Sequence, residues 1–214
     1  MSNIIIPFRA NLLEKGCDRT PLLPNTKSIL LDGMDDYVDL GDIASLSNAT
    51  NFSYSGWYNQ TTLDTRNTML SGNYLASSTQ YLFFYTWNDG RMILQIGDGG
   101  VNPYASFDYS LYVTAGQWFH FTYVYNGNGV TEADKVQIYI NGAPLPLTFT
   151  GTMHSSTPAG ANITQIGVGI GGNYWGGGID EAAFFDYSLT PAEVLSIYNG
   201  GGTATPGNLT SLSP

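Results

Sequence analysis

The chain has 214 residues, 43% of them hydrophobic and only 11% charged, with 15 Tyr, 10 Phe and 4 Trp; this is ample apolar material for one substantial core and excludes wholesale disorder. Seventeen acidic against seven basic side chains give a formal charge of −10, and an acidic body without a basic stripe excludes nucleic acid as a partner. The 26 glycines, with abundant Tyr, Thr, Ser and Asn, fit many strands joined by tight turns and leave little room for long helices.

Three zones follow one another along the chain. Residues 1–27 hold Arg9, Lys15, Arg19 and Lys27 against Glu14 and Asp18, a charge of +2 that leaves −12 for the remainder. Pro7, Pro21 and Pro24 disfavour both a regular helix and an interior strand there, so the segment reads as an extended N-terminal arm. Two readings stand for it: a strap on the domain's own surface, or an assembly arm whose Ile4, Ile5, Ile6, Phe8 and Arg9 dock on another subunit of opposite charge. The opening MSNIIIPFRANLLEKG has neither a basic n-region nor a sustained apolar run, so it does not read as a secretory signal, and no stretch approaches the ~18 apolar residues of a membrane span. Cys17 is the lone cysteine and permits no internal disulfide.

The second zone is rich in strand-like runs: Ser28–Asp32, Tyr37–Leu40, Asn51–Gln60, Thr68–Ser71, Tyr81–Trp87, Arg91–Ile96, Tyr104–Tyr109, Trp118–Tyr125, Val136–Ile140, Ile163–Val168 and Gly178–Phe185. That is enough for two sheets. Asn88-Asp89-Gly90 and Asn126-Gly127-Asn128-Gly129 mark turns, and Asn141-Gly142 suits a type I′ hairpin, so consecutive strands are expected to pair antiparallel. In WFHFTYVY, Phe119, Phe121, Tyr123 and Tyr125 share one face while Trp118, His120, Thr122 and Val124 share the other. Neither face is wholly polar, which predicts a central strand covered on both sides. One short helix is expected at TPAEVLSIYNGG, with Thr190 as N-cap, Pro191 at the first position and Glu193 closing a capping box, anchored by Val194, Leu195, Ile197 and Tyr198. Residues 202–214 form the third zone, a Gly/Thr/Pro/Ser stretch that reads as a flexible tail or linker.

Few residues offer chemistry. His120 and His154 are the only histidines, and no serine occupies a Gly-x-Ser-x-Gly elbow, so a catalytic triad or a histidine-based metal site has little material. His120, alternating with Trp118 and Thr122, reads as a hydrogen-bonded interior residue. Gly167-Val168-Gly169-Ile170-Gly171-Gly172 has the composition of a phosphate loop without the helix that would make it one. Glycan recognition sets aromatic faces against sugar rings with amides fixing the hydroxyls, and Tyr74, Tyr81, Trp87 and Tyr104, near Asn73, Asn88 and Asn102, supply those types. Trp57, Trp118 and Trp175 read as core.

Three ordered segments, SILLDGMDDYVDLG at 28–41, FSYSGWYNQ at 52–60 with GQWFHFTYVYNG at 116–127, and YWGGGIDEAAFFDYSLTPAEVLSIYNGG at 174–201, resemble the laminin-G-like (concanavalin A-like) jelly-roll family. The resemblance covers residues 28–201 and implies an all-β, two-sheet antiparallel jelly-roll sandwich with one short C-terminal helix. It also implies a structural calcium held by Asp32, the Gly33 carbonyl and Asp180; the alternative is that Asp32 makes an Asx turn with its own backbone. Glucanases of related fold carry paired carboxylates on one strand, whereas Gly178-Ile179-Asp180-Glu181-Ala182 has glycine in place of the first, so the chain is expected not to be an enzyme. The NLTSLSP tail, the small uncharged turns and the lack of an export signal are similar to virion structural proteins of marine bacteriophages. That likeness implies a capsid decoration or tail-associated subunit located in the virion, with other subunits or copies of itself as partners. The alternative is a carbohydrate-binding or adhesin module, extracellular or at a cell surface.

Overall fold

The computed structural model describes residues 28–198 apart from positions 64, 76, 77, 101 and 170. The proposed arm residues Ile4, Ile5, Ile6, Phe8 and Arg9 and the 202–214 tail lie outside the described residues.

Strands β1 (Ile29–Asp32), β2 (Val38–Gly41), β3 (Asn51–Gln60), β4 (Thr68–Tyr74), β5 (Tyr81–Thr86), β6 (Arg91–Gly97), β7 (Tyr104–Asp108), β8 (Trp118–Asn126), β9 (Val136–Ile140), β12 (Asn162–Ile166) and β13 (Gly176–Phe185) fall on the eleven expected runs. Two short strands, β10 (Ala143–Pro144) and β11 (Thr148–Thr150), and the one-turn helix α1 (Glu132–Lys135) were not expected. Neither α1 nor the two-residue β10 has apolar alternation, whereas Leu145, Leu147 and Phe149 alternate with Pro146, Thr148 and Thr150 into β11 and pack on the core; β10 and β11 pair with the edges offered by β9 and β7.

The strands build two antiparallel sheets, one of six strands in the order β1-β13-β3-β8-β9-β10 and one of seven in the order β11-β7-β6-β5-β4-β12-β2. Their inner faces enclose a single aromatic core: Phe52, Tyr54 and Tyr58 from β3 and Phe119, Phe121, Tyr123 and Tyr125 from β8 meet Leu82 and Phe84 of β5, Leu94 of β6 and Phe107 of β7. Phe84 and Tyr123 bridge the two sheets with ring centroids 4.5 Å apart. Burial of this kind is worth about 1.5–3 kcal/mol for each large apolar side chain. The hydroxyls of Tyr54 and Tyr58 hydrogen-bond to each other inside the core, so neither is left unpaired.

The outer face of the six-stranded sheet carries a second apolar cluster. Helix α2 (Pro191–Ile197) lays Val194 and Ile197 on Val124, Tyr139, Ala183 and Phe185. Its start is fixed as expected, with Thr190 Oγ1 accepting from the Glu193 N–H and a Glu193 carboxylate oxygen accepting from the Thr190 N–H. Leu195, expected as an anchor, is instead exposed. The Asn141-Gly142 turn is left-handed at both positions (φ 51° and 75°), as a type I′ hairpin requires.

Beside α2, Trp57 and His120 are cross-strand partners, and Tyr198 covers both, its ring 5.5 Å from Trp57 and 5.8 Å from His120. Trp57 is therefore buried outside the sandwich core, and Trp118 is only half-buried, its ring across Gly178. Both tryptophans take the outer face because β3 and β8 give their inner positions to Tyr and Phe. His120 Nε2 lies 2.9 Å from Ser55 Oγ, and burial lowers the imidazole pKa from 6.5 to about 3. Between pH 6.5 and 3 the unfolded chain thus binds a proton that the folded chain refuses, so stability falls as the pH falls through that window. The cost approaches the order of 4 kcal/mol at its acid end. Urea unfolding of the His120→Gln protein at pH 7 and 4.5 is expected to show a smaller loss on acidification than the wild type; an equal loss would place the acid sensitivity elsewhere.

Candidate functional site

The sequence of β5, YLFFYT, alternates about the sheet plane, sending Leu82 and Phe84 into the core and Tyr81, Phe83 and Tyr85 to the outer face of the seven-stranded sheet. Trp87 continues the outward series. The rings form a row along the strand, with successive centroids 5.5 Å (Tyr81 to Phe83), 6.0 Å (Phe83 to Tyr85) and 6.0 Å (Tyr85 to Trp87) apart. Six residues of extended chain make the row roughly 20 Å long.

Each ring is placed by a neighbour. Tyr81 lies across Gly97 of β6, where a Cβ would come within 2.6 Å of its ring. Phe83 is closed off from solvent by the loop at Gly169, whose missing side chain lets the backbone pass over Phe83 and Thr68. Gly169 belongs to the glycine-rich stretch read above; it serves as a close-packed cover, and strand β13 follows. Tyr85 and Trp87 lie under the Arg66 guanidinium, 5.0 and 4.7 Å from their ring centroids. Trp87 retains 36% of its surface exposed. Tyr81, Tyr85 and Tyr104 are half-buried, and Tyr104 sits two strands away on β7, opposite Gln95.

Polar groups flank the row. Asn73 pairs with Tyr81 and Gln95 with Phe83 across the ladder, and Gln95 Nε2 donates to the Asn102 carbonyl at 3.1 Å. Arg91 is joined to Asp89 at 2.7 Å, an exposed pair of small energetic weight. Asp108 accepts from Ser110 Oγ at 2.7 Å. The surface thus combines ring faces with amides and charges on a rigid sheet.

Of the four aromatics expected to meet a glycan, the structure brings together Tyr81 and Trp87 and leaves Tyr104 near them. Tyr74 is elsewhere. It ends β4 facing inward, 3% exposed, and its hydroxyl donates to the Leu46 carbonyl at 2.6 Å; it is a packing residue, because β4 runs three residues beyond the expected Thr68–Ser71. Tyr85 and Arg66 were missed. The alternation of YLFFYTW already places Tyr85 in line with Tyr81 and Trp87, whereas nothing local in the sequence announces Arg66, which reaches the row from the β3–β4 loop.

The expected calcium ligands are also rearranged. Asp32 pairs with Gly176 in the β1–β13 ladder, so Asp180 stands four residues along the strand, roughly 13 Å away. Asp180 and Glu181 are buried at a bulge in β13, where Glu181 takes a left-handed φ of 50°. The Glu181 N–H donates to Asp180 Oδ1 at 2.8 Å. Asp32 instead gathers with Asp35 and Asp36, their carboxylate oxygens within 4.8 Å of one another. Its Oδ1 accepts from the Met34 N–H at 2.8 Å and the Asp35 N–H at 3.3 Å, which is the Asx turn, and the Met34 bond chiefly lowers the Asp32 pKa. These three exposed carboxylates are oxygen donors of the kind calcium takes; Asp180 is not among them. No helix among the described residues is long and apolar enough to cross a membrane.

Comparison with known proteins agrees with this architecture. A family profile described as the concanavalin A-like lectin/glucanases superfamily matches residues 32–195. Among solved structures, the chain is similar to the native heptameric SAP-like pentraxin of Limulus polyphemus, at 18% identity and TM-score 0.55 over 86% of this chain and 87% of that one. It is similar to domain 4 of AbnA, a GH43 extracellular arabinanase of Geobacillus stearothermophilus in complex with arabinotriose, at 24% identity and TM-score 0.58 over 78% and 74%. It is also similar to the CBM40 of Ruminococcus gnavus IT-sialidase bound to alpha2,3 sialyllactose, at 12% identity and TM-score 0.60 over 82% and 98%. At these identities the likeness is one of fold. A search of curated proteins gives no match.

Proposed function

The chain belongs to the concanavalin A-like lectin/glucanases superfamily, and on that premise we propose that it is a carbohydrate-binding module whose ligand lies on the outer face of the seven-stranded sheet. The row of Tyr81, Tyr85 and Trp87 carries this reading. Sugar rings present apolar C–H faces ringed by hydroxyls, and a line of aromatic faces with Asn73, Gln95 and Tyr104 beside it offers a partner for each kind of surface. An elongated row suits a chain-like ligand better than a single sugar. That structures of the same fold hold arabinotriose and sialyllactose supports a glycan as the ligand class.

On this reading the face binds and does not cleave. Hydrolysis of a glycosidic bond needs two carboxyl groups flanking it, one free to donate a proton. On this face Asp89 is held by Arg91 and Asp108 by Ser110, and the adjacent Asp180 and Glu181 are buried in the other sheet.

A second reading, a virion subunit that docks through residues 1–27, is supported by the charge of +2 in that segment against −12 in the rest. It concerns a different part of the chain and is compatible with glycan binding at the sheet.

In titrations against an oligosaccharide panel, Trp87→Ala and Tyr85→Ala are expected to weaken binding about tenfold each, near 1.4 kcal/mol, with thermal midpoints close to wild type. Failure of every oligosaccharide to bind, or unaltered binding by both variants, would remove the proposal. For the second reading, light scattering is expected to give a defined oligomer for the full chain and a folded monomer for a chain beginning at Ser28; the same number of subunits in both would count against assembly through the arm.

A further inference from the structure

Among the described residues the basic side chains are Arg66, Arg91 and Lys135. Arg91 is neutralised by Asp89 at 2.7 Å. Lys135 lies 3.7 Å from Glu132 and donates to the Met153 carbonyl at 2.8 Å. Arg66 has no carboxylate partner among the described residues; its contacts are the faces of Tyr85 and Trp87, and its Nε is buried without a hydrogen-bond acceptor. A guanidinium over aromatic rings is attracted by their negative faces but keeps its full charge and its in-plane donors.

Arg66 is also held in place. On one side of it, the Thr65 carbonyl accepts from Thr86 Oγ1 at 3.0 Å and from Asn67 Nδ2 at 3.1 Å. On the other, the Asn67 N–H donates to Thr86 Oγ1 at 3.1 Å, the Asn67 carbonyl accepts from the Thr86 N–H at 2.8 Å, and Asn67 Oδ1 accepts from the Gly176 N–H at 3.4 Å. The loop is thereby tied to the end of β5 and the start of β13. A fork of donors fixed beforehand loses little entropy when an anion arrives.

We propose that the ligand of the aromatic row is an acidic glycan, a chain of sugars bearing carboxylates, and that Arg66 is the residue that selects it. The inference rests on the glycan-binding reading above and adds the charge of the sugar. The planar fork of Arg66 matches a carboxylate with two parallel hydrogen bonds, while the sugar ring that carries the carboxylate lies along the row beside Tyr85 and Trp87. The acidic body does not prevent this. At physiological salt the screening length is about 8 Å, so charges beyond that distance are largely damped while a direct Arg66–carboxylate contact is not. Of the two acids described above on this face, Asp89 is already paired with Arg91.

The test uses the full chain and three probes, oligogalacturonate, oligomannuronate and sialyllactose, each beside its carboxyl-reduced counterpart, which differs only in the acid group. Calorimetry is expected to show at least one acidic form bound about tenfold or more tighter than its reduced partner, the scale of a charge-assisted hydrogen bond. Arg66→Gln should erase that difference, so that the acidic and reduced forms bind alike whatever their common affinity, and Arg66→Lys, which keeps the charge without the fork, should restore only part of it. Equal binding of acidic and reduced forms, sensitive to Trp87→Ala, would overturn the acidic preference and leave the glycan site standing. Absence of binding by all six probes would overturn the acidic proposal, and the separate neutral panel then decides the fate of the site. An undiminished preference in Arg66→Gln would place selection on another residue.

Discussion

Burial of one aromatic face from each sheet is the constraint on which the rest of the structure depends. Side chains alternate strictly along a strand, so once Leu82, Phe84 and their partners are committed to the core, every intervening residue of β5 is committed to the outside. A slip of one residue would bury Tyr81, Tyr85 and Trp87 and expose Leu82 and Phe84. The core's energy, many times that of any surface contact, is therefore what holds the outer row in line. The candidate site is the reverse side of the folding pattern.

The two outer faces are treated differently, and the difference bears on function. On the six-stranded sheet, α2 and Tyr198 cover the apolar and polar side chains alike, leaving His120 and Trp57 sealed from solvent. On the seven-stranded sheet the loop at Gly169 covers Phe83 and the Arg66 guanidinium lies over Tyr85 and Trp87, while Tyr81, Tyr85 and Trp87 all retain exposed surface. A sheet face rich in aromatics is ordinarily covered, as the first one is. Leaving the second one largely open sacrifices burial that a purely structural face would gain, and that asymmetry favours ligand contact there.

Much of the fold was legible from sequence because its signals are local. Alternation located eleven strands, Asn-Gly located the β9–β10 turn, and Thr-Pro-x-Glu located the start of α2. The failures are tertiary. Tyr74 lay beyond the expected Thr68–Ser71 strand and so read as an aromatic open to a glycan, yet pairing with Asn162 extends β4 through it. Asp32 and Asp180 were made companions only by the resemblance to the jelly-roll family, but ladder register, which sets Asp32 opposite Gly176, separates them. Arg66 and Tyr85 meet across 19 positions of sequence and no pattern in either segment foretells the stack. Chemistry that depends on which loop crosses which strand is visible only once the sheets are assembled.

The most direct measurement is a nitrogen–proton correlation spectrum of the four tryptophan indoles during titration with any panel oligosaccharide that binds. The indoles report separate places: Trp87 on the open row, Trp57 beneath Tyr198, Trp118 over Gly178 and Trp175 in the core. A ligand on the seven-stranded face should shift the Trp87 indole in proportion to saturation and leave Trp57 and Trp175 in place. An unmoved Trp87 at saturation, with shifts at Trp118 or Trp57, would contradict the assignment and move the ligand to the opposite sheet.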